Sequence, residues 1–240
     1  MTTQPLFNAD AYAQTADAQL VAATEEGALI LAESLFYPTG GGQPGDRGHV
    51  VLNGATVEIE TTVKGEGGAI LLLPRAGQER PKPGARGTQH LDWPHRYRVM
   101  RMHTALHLLS VVLPFPVSGG AIGAEKSRLD FNMPDAPEDK AALQDALNAL
   151  IAADHPVTET WISDIELAAN PGLVKTMAVK PPTGMGRVRL VRIGVGDPPV
   201  DLQPCGGTHV RRTGEIGPIA LGKIEKKGRQ NRRVSITFAS

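Results

Sequence analysis

The sequence predicts an α+β protein in two parts: a small, glycine-rich β-barrel domain over residues 1–92, and an antiparallel sheet with helices over residues 93–240. Three observations lead there. In the first part, short apolar stretches recur between glycine-rich turns: Ala28–Leu35, His49–Leu52, Ala55–Val63 and Ala69–Leu73. Regularly spaced short strands of this kind suit a small barrel. In the second part, strands surround two helices without a regular strand–helix–strand alternation, which indicates α+β. Finally, a chain of 240 residues is expected to form one large or two small domains.

Taken in order, Phe7–Leu20 fits a short strand or the start of a helix. The stretch Tyr37–Gly45 is a loop by composition. Its glycines Gly40, Gly41 and Gly42 allow positive φ or close backbone approach to a ligand, and an ordinary barrel corner fits equally. Gly77–Gly87, rich in Pro, Gly and charge, reads as a barrel loop or an exposed link, and Leu91–Trp93 leads into a helix over Pro94–Pro114. Pro94 suits the first turn and Pro114 ends the helix. Val99, Met102, Leu106, Leu109 and Leu113 form an apolar stripe of helical period. Pro114–Gly123 reads as irregular and Glu125–Met133 as a strand. A second helix is expected over Pro134–Asp154, with Pro137 and Glu138 in its first turn and Ala141, Leu143, Leu147, Leu150 and Ile151 on its buried side. Val157–Glu166 alternates as a strand, Ile165–Val174 fits a short helix, and Val188–Ile193 is a strand with alternating arginines. Ile216–Ile224 and Arg233–Phe238 read as paired strands around a basic turn, Glu225–Arg232.

The bulk numbers exclude several classes. No apolar run approaches the roughly 20 residues of a membrane span, so no membrane partner is expected. Met1–Ala11 has neither a basic segment nor an apolar core, which speaks against a secretory signal. One cysteine rules out an internal disulfide and fits a reducing cytoplasm. Aromatics make up 4%, too few for a base-stacking platform. The net charge of zero hides an asymmetry: residues 1–74 hold two basic against nine acidic side chains, residues 75–101 seven against two, and residues 205–240 eight against two. A phosphate-bearing substrate would favour the two basic blocks, and a solvated basic surface is the plainer alternative.

The chemistry concentrates in two places. His103 and His107 lie four apart on the central helix, so both imidazoles leave one face. About a hundred residues on, the only cysteine opens Cys205-Gly206-Gly207-Thr208-His209, where the double glycine permits a tight loop. A helical His pair alone fits a structural or surface role, and a lone Cys fits an inert buried thiol. Together they form one thiolate and three imidazoles, a ligand set that suits zinc best. Thr104 stands where a zinc protease helix would carry its Glu base, which excludes that class. There is no Gly-x-Ser-x-Gly elbow and no phosphate loop ending in Gly-Lys-Ser/Thr, so no nucleotide cofactor is expected. Nucleophilic catalysis by Cys205 is the rival use of the thiol.

These pieces carry a resemblance. His-Thr-Ala-Leu-His-Leu-Leu (103–109), with Cys-Gly-Gly-Thr-His-Val-Arg-Arg-Thr-Gly-Glu-Ile-Gly (205–217), resembles the editing domain of alanyl-tRNA synthetase, and still more the free-standing AlaX-type editing proteins of medium length. Ser-Arg-Leu-Asp-Phe (127–131) resembles that family's strand after the helix, and Tyr-Pro-Thr-Gly-Gly-Gly-Gln-Pro-Gly-Asp-Arg-Gly (37–48) its glycine-rich motif. The resemblance implies the fold of the threonyl- and alanyl-tRNA synthetase editing domains. It implies hydrolysis, in trans, of the ester joining serine or glycine to the acceptor end of alanine tRNA. It also implies zinc held by His103, His107, Cys205 and His209. Four permanent ligands would close such a site, so His209 is expected to yield to water or substrate.

Gly41, Gly42, Gln43, Ser118, Gly119 and Thr208 become expected substrate contacts. The family often uses Thr or Gln to meet the serine hydroxyl. Gly119 stands at that position here, which leaves Ser118, or the backbone and Gln43 of the glycine loop, for the role. The basic blocks become the expected tRNA contacts: Arg96, Arg98, Arg101, Arg211, Arg212, Lys226, Lys227, Arg229, Arg232 and Arg233. Two other classes fit parts of the pattern: a zinc-stabilised RNA-binding module without catalysis, and a deacylase for another aminoacyl-tRNA such as that of threonine.

Overall fold

The computed structural model describes residues 2–78, 80–177 and 186–239 and separates into two compact units, 1–97 and 98–240. Among its described residues, the first unit holds β1 (Gln4–Pro5), β2 (Thr15–Ala23), β3 (Leu29–Leu31), β4 (Glu33–Ser34), β5 (Gly48–Leu52), β6 (Ala55–Lys64), β7 (Ile70–Pro74) and β8 (Arg86–Leu91). Six of these close an antiparallel barrel in the order β2-β3-β7-β6-β5-β8, with β8 returning to β2. The alternation expected of strands with one buried face is present. Val50 and Leu52, Val57 and Ile59, and Ile70 and Leu72 are buried, with more exposed residues between them. Leu20, Leu29 and Leu31 join this core, with Phe7, Leu35, Phe36 and Tyr37.

Two expectations change here. The apolar run Ala28–Leu35 is broken at Ala32: β3 belongs to the barrel, while β4 pairs in parallel with β1. Arg86 and Gly87 are not loop but the start of β8, the strand that closes the barrel. Its sequence, Arg-Gly-Thr-Gln-His-Leu, has one apolar residue, at its end, where β3 and β7 are apolar along their length. Its inward residue is Gln89, fully buried, which donates to Asp17 O and Glu33 O and accepts from Leu35 N at 2.8 Å. Gly87 is required because the strands approach closely; an added Cβ would lie 1.8 Å from Val51 O. Residue 79 of the Gly77–Gly87 stretch lies outside the described residues.

The glycine loop is braced at its base. Asp46 N donates to Tyr37 O, Tyr37 N to Asp46 Oδ2, and Gly45 N to Thr39 Oγ1. Gly41 and Gly42 at the tip have φ of 58° and 83°, the left-handed region that favours glycine. Both are exposed, whereas Gln43 is buried.

The central helix, α1 (Trp93–Val112), begins where Asp92 Oδ1 accepts from His95 N at 3.1 Å, an N-cap contact, with Pro94 in the first turn. The whole predicted stripe is buried, and so is every residue from Met102 to Ser110; the helix is a core element rather than an amphipathic surface one.

The rest of the second unit comprises β9 (Val117–Ala121), β10 (Lys126–Asn132), α2 (Lys140–Ala152), β11 (Val157–Ser163), α3 (Asp164–Ala169), β12 (Arg187–Ile193), β13 (Asp201–Pro204), β14 (Ile219–Gly228) and β15 (Asn231–Phe238). They form a four-stranded sheet, β14-β15-β10-β9, and a three-stranded one, β11-β12-β13. Pro114–Gly123 is therefore not wholly irregular: Val117–Ala121 pairs with β10 despite two glycines, because the ladder outweighs weak strand propensity. The second helix starts at Lys140, later than expected. Pro137 disfavours helical backbone at the residue before it, and Asp139 supplies the cap, accepting from Ala142 N at 2.8 Å. Ala141 is exposed, not buried. On α2, the Asn148 and Gln144 amides bond the backbone of Ile219 and Leu221 along the edge strand β14. The expected basic turn is shorter than 225–232, since β14 runs to Gly228. No helix among the described residues is long and apolar enough to cross a membrane.

Candidate metal centre

Two elements meet at the centre. α1 presents His103 and His107 from one face, and the loop leaving β13 presents Cys205 and His209. Their ligand atoms all lie within 4.8 Å of one another. The Cys205 Sγ is 3.4 Å from His103 Nε2 and 3.3 Å from His209 Nε2. The His103 and His209 rings stand 4.2 Å apart, and the His107 and His209 rings 4.6 Å. All three histidines are buried.

The second layer sets the tautomers. His107 Nδ1 lies 2.9 Å from Asp201 Oδ2, so the carboxylate accepts the Nδ1 proton and leaves Nε2 as the nitrogen that would meet an ion. Gln203 Nε2, 2.7 Å from the same oxygen, donates to Asp201. Lys175 Nζ donates to the other oxygen at 2.5 Å. The Thr104 hydroxyl donates to Met100 O, so its oxygen is left to accept from His209 Nδ1, 3.1 Å away. Asp201, Gln203, Lys175 and Thr104 were not foreseen as supports of the centre. A signal for two of them existed: Asp201, Gln203 and Cys205 alternate, and alternate residues of a strand share a face.

Electrostatics set a different protonation state on each member of the cluster. Burial opposes a charge on His107, but the hydrogen bonds to Asp201 and Cys205 outweigh it and push its pKa up to about 9. Burial raises the Cys205 thiol, yet the His103 and His209 imidazoles outweigh it and hold the thiol well below its ordinary value. Burial and the His103 ring keep His209 well below the usual histidine range. Asp201 is held at about 2, because His107 and Lys175 overcome its burial. A thiolate and a neutral His209 are forms that bind a metal, whereas His107, protonated at neutral pH, would release its Nε2 proton as an ion binds. The donor set fits such an ion. His209, buried and tied to Thr104, shows no packing difference that would make it the exchangeable ligand.

Other expected site residues lie elsewhere. Ser118 and Gly119 sit on β9, where the Ser118 hydroxyl donates to Asp130 O at 3.0 Å. A Cβ on Gly119 would meet only Asp130 Oδ2, at 3.7 Å. Val117, beside them, donates its N–H to Lys175 O at 2.9 Å and accepts from Met177 N at 2.8 Å. Thr208 is buried in the metal loop.

The expected tRNA contacts divide. Arg96, 1% exposed, is corrected: its guanidinium bonds Asp46, Ala11 O and Leu35 O and has no surface to offer. Arg232 is corrected likewise, since it is buried and donates to Gly228 O, Asn231 O and Pro134 O. Arg212 is held by Asp154, and Arg233 by Asp130. Arg98 and Arg101 stack over Phe238 while donating to Ala124 O and Ile216 O. Lys226, Lys227 and Arg229 are exposed at the β14–β15 tip, and Arg211 is exposed beside the metal loop.

The family described as the threonyl and alanyl tRNA synthetase second additional domain matches residues 188–235, and that of class II (A) tRNA synthetases matches residues 8–95. The chain is 32% identical to an alanyl-tRNA editing protein AlaX-M of Methanosarcina acetivorans, over 98% of this chain and 99% of that one. It is 32% identical to an AlaX-L protein of Pyrococcus horikoshii, over 97% of this chain and 57% of that one. It is 33% identical to an alanine–tRNA ligase of Pyrobaculum neutrophilum, over 93% of this chain and 25% of the ligase. With an end-to-end match at this identity, the chain belongs to the AlaX family of alanyl-tRNA editing proteins.

Proposed function

We propose that the protein hydrolyses, in trans, the ester joining serine, and also glycine, to alanine tRNA. In this reading the metal is zinc, residues 1–92 are a barrel domain and residues 93–240 are the deacylase domain. The observation that carries it is the cluster of one half-buried cysteine and three buried histidines, in a chain that matches a named editing protein from end to end. Water adds to the ester carbonyl, the bond to the ribose oxygen breaks, and that oxygen takes a proton. The products are free amino acid and uncharged tRNA.

When bound, zinc supplies positive charge that polarises a carbonyl or anchors the amino acid. The chain's own residues do the rest. Asp201 and Thr104 fix the ring orientations of His107 and His209. The Ser118 oxygen, whose proton goes to Asp130 O, keeps lone pairs for the hydroxyl of a serine ester; an alanine ester would leave that acceptor unpaired. The missing side chain at Gly119 leaves room beside it. Lys226, Lys227, Arg229 and Arg211, with Arg98 and Arg101, supply contacts to the tRNA backbone.

The test is a deacylation panel: Ser-, Gly-, Ala- and Thr-charged tRNAs with native and metal-stripped protein. Loss of the serine and glycine esters, with the alanine ester spared and activity restored by zinc, is expected. Hydrolysis of the threonine ester alone, or activity indifferent to metal removal, would overturn the reading.

A further inference from the structure

We infer that Arg189 is the positioning residue of the metal loop: its guanidinium holds the Cys205–Gly207 backbone so that the thiolate faces the three imidazoles. The inference rests on the reading of the cluster as a metal centre.

Arg189 lies on β12, the central strand of its sheet, and is 5% exposed. It grips Cys205 from both sides of the peptide. The Cys205 N–H donates to Arg189 O at 3.2 Å, and Arg189 Nη1 donates to Cys205 O at 2.9 Å. The same Nη1 donates to Gly207 O at 2.8 Å, closing the double-glycine turn over one nitrogen. With both carbonyls drawn to the guanidinium, the Gly207 N–H is left pointing at the sulfur and donates to Sγ at 3.4 Å. Glu159, on the neighbouring strand β11, takes Nη2 and fixes the far end of the fork.

Packing alone does not account for an arginine here. Flanking positions on β12 are filled by Val188, Leu190 and Val191, all buried. Arg189 Nε, also buried, finds no partner among the described residues. Leaving a buried donor unmet costs stability, so the group is aimed by the loop carbonyls at the expense of Nε. A loop containing Gly206 and Gly207 would otherwise sample many conformations, since glycine restrains its own backbone least. The planar fork restrains it from outside. Lysine, a point charge on a flexible stem, cannot bind two carbonyls and a carboxylate in that geometry.

The test uses full-length native protein, R189K and E159Q. Zinc affinity is measured by chelator competition, the cobalt-substituted spectrum is recorded for its thiolate charge-transfer band, and Ser-tRNA kinetics are run alongside. R189K is expected to bind zinc about 10–100-fold more weakly, the scale of a lost supporting contact. Its thiolate band should be displaced, and kcat should fall with KM for the charged tRNA unchanged. E159Q loosens only the far end of the fork and is expected to weaken zinc severalfold, which keeps the inference testable should R189K fold poorly. If native protein binds no metal, the metal-centre reading fails. If native, R189K and E159Q bind zinc equally and share one cobalt spectrum, Arg189 is a brace of the sheet and the inference alone is overturned.

Discussion

Asp46 and Asp201 are both buried carboxylates, at 2% exposure each, and they do opposite work. Asp46 faces Arg96, a permanent cation whose hydrogen bonds among the described residues all lie inside the first unit: Asp46 itself, Ala11 O and Leu35 O. That pair locks the base of the glycine loop to the start of α1 and leaves nothing over. Asp201 faces His107, a ring with two nitrogens. Binding one of them determines what the other can do. The partner decides whether a buried carboxylate is a tie or a tuning element. An arginine uses up its charge, whereas an imidazole passes the effect through to the metal centre.

The comparison breaks most sharply at Asp46. Asp46→Ala leaves Arg96 charged and uncompensated in the interior, which typically costs about 3–5 kcal/mol. Denaturant unfolding should show a loss of that order, with zinc content of the folded fraction unchanged. A variant that keeps native stability but loses zinc would reverse the roles assigned to the two carboxylates.

Asp201→Asn should do the converse. The amide can present its NH2 to His107, moving the ring proton to Nε2 and removing the ligand lone pair. Zinc affinity is expected to fall about 10–100-fold, as for other second-layer partners, while unfolding changes less than for Asp46→Ala. Chelator competition reads the affinity; an Asn variant that binds zinc as tightly as native would show that the carboxylate does not set the tautomer.

The smallest effect sharpens the same contrast at the surface. Lys227 pairs with Glu225 at 2.6 Å, and both side chains are 37% exposed. Exposed pairs of this kind contribute little, so Lys227→Ala should leave stability nearly unchanged. As a phosphate contact it should lower the salt dependence of tRNA binding by about one unit in slope. Titrations at several salt concentrations that return the native slope would leave Lys227 a solvated charge only.

The sequence by itself determined what depends on local period and residue chemistry. Residues Val99 to Leu113 carry helical spacing, and their stripe is buried. Short apolar stretches between glycine-rich turns marked β5, β6 and β7 as barrel strands, because a regular spacing of strand and turn residues is local in the chain. His103, His107, Cys205 and His209 were legible as a cluster because few residue types bind metal and the motif spacing is short. Tertiary structure alone decided what depends on a partner distant in the chain. β8 closes the barrel with a glutamine and a close-approach glycine, neither of which signals a strand. Arg96 and Arg232 look like surface cations in sequence, since charge is a property of the residue and burial is not. Asp201, Lys175 and Arg189 acquire their roles only through α1 and the metal loop, 94 residues away in the case of His107 and Asp201. A side chain's identity states what it can do, but its neighbours in space select which of those things it does.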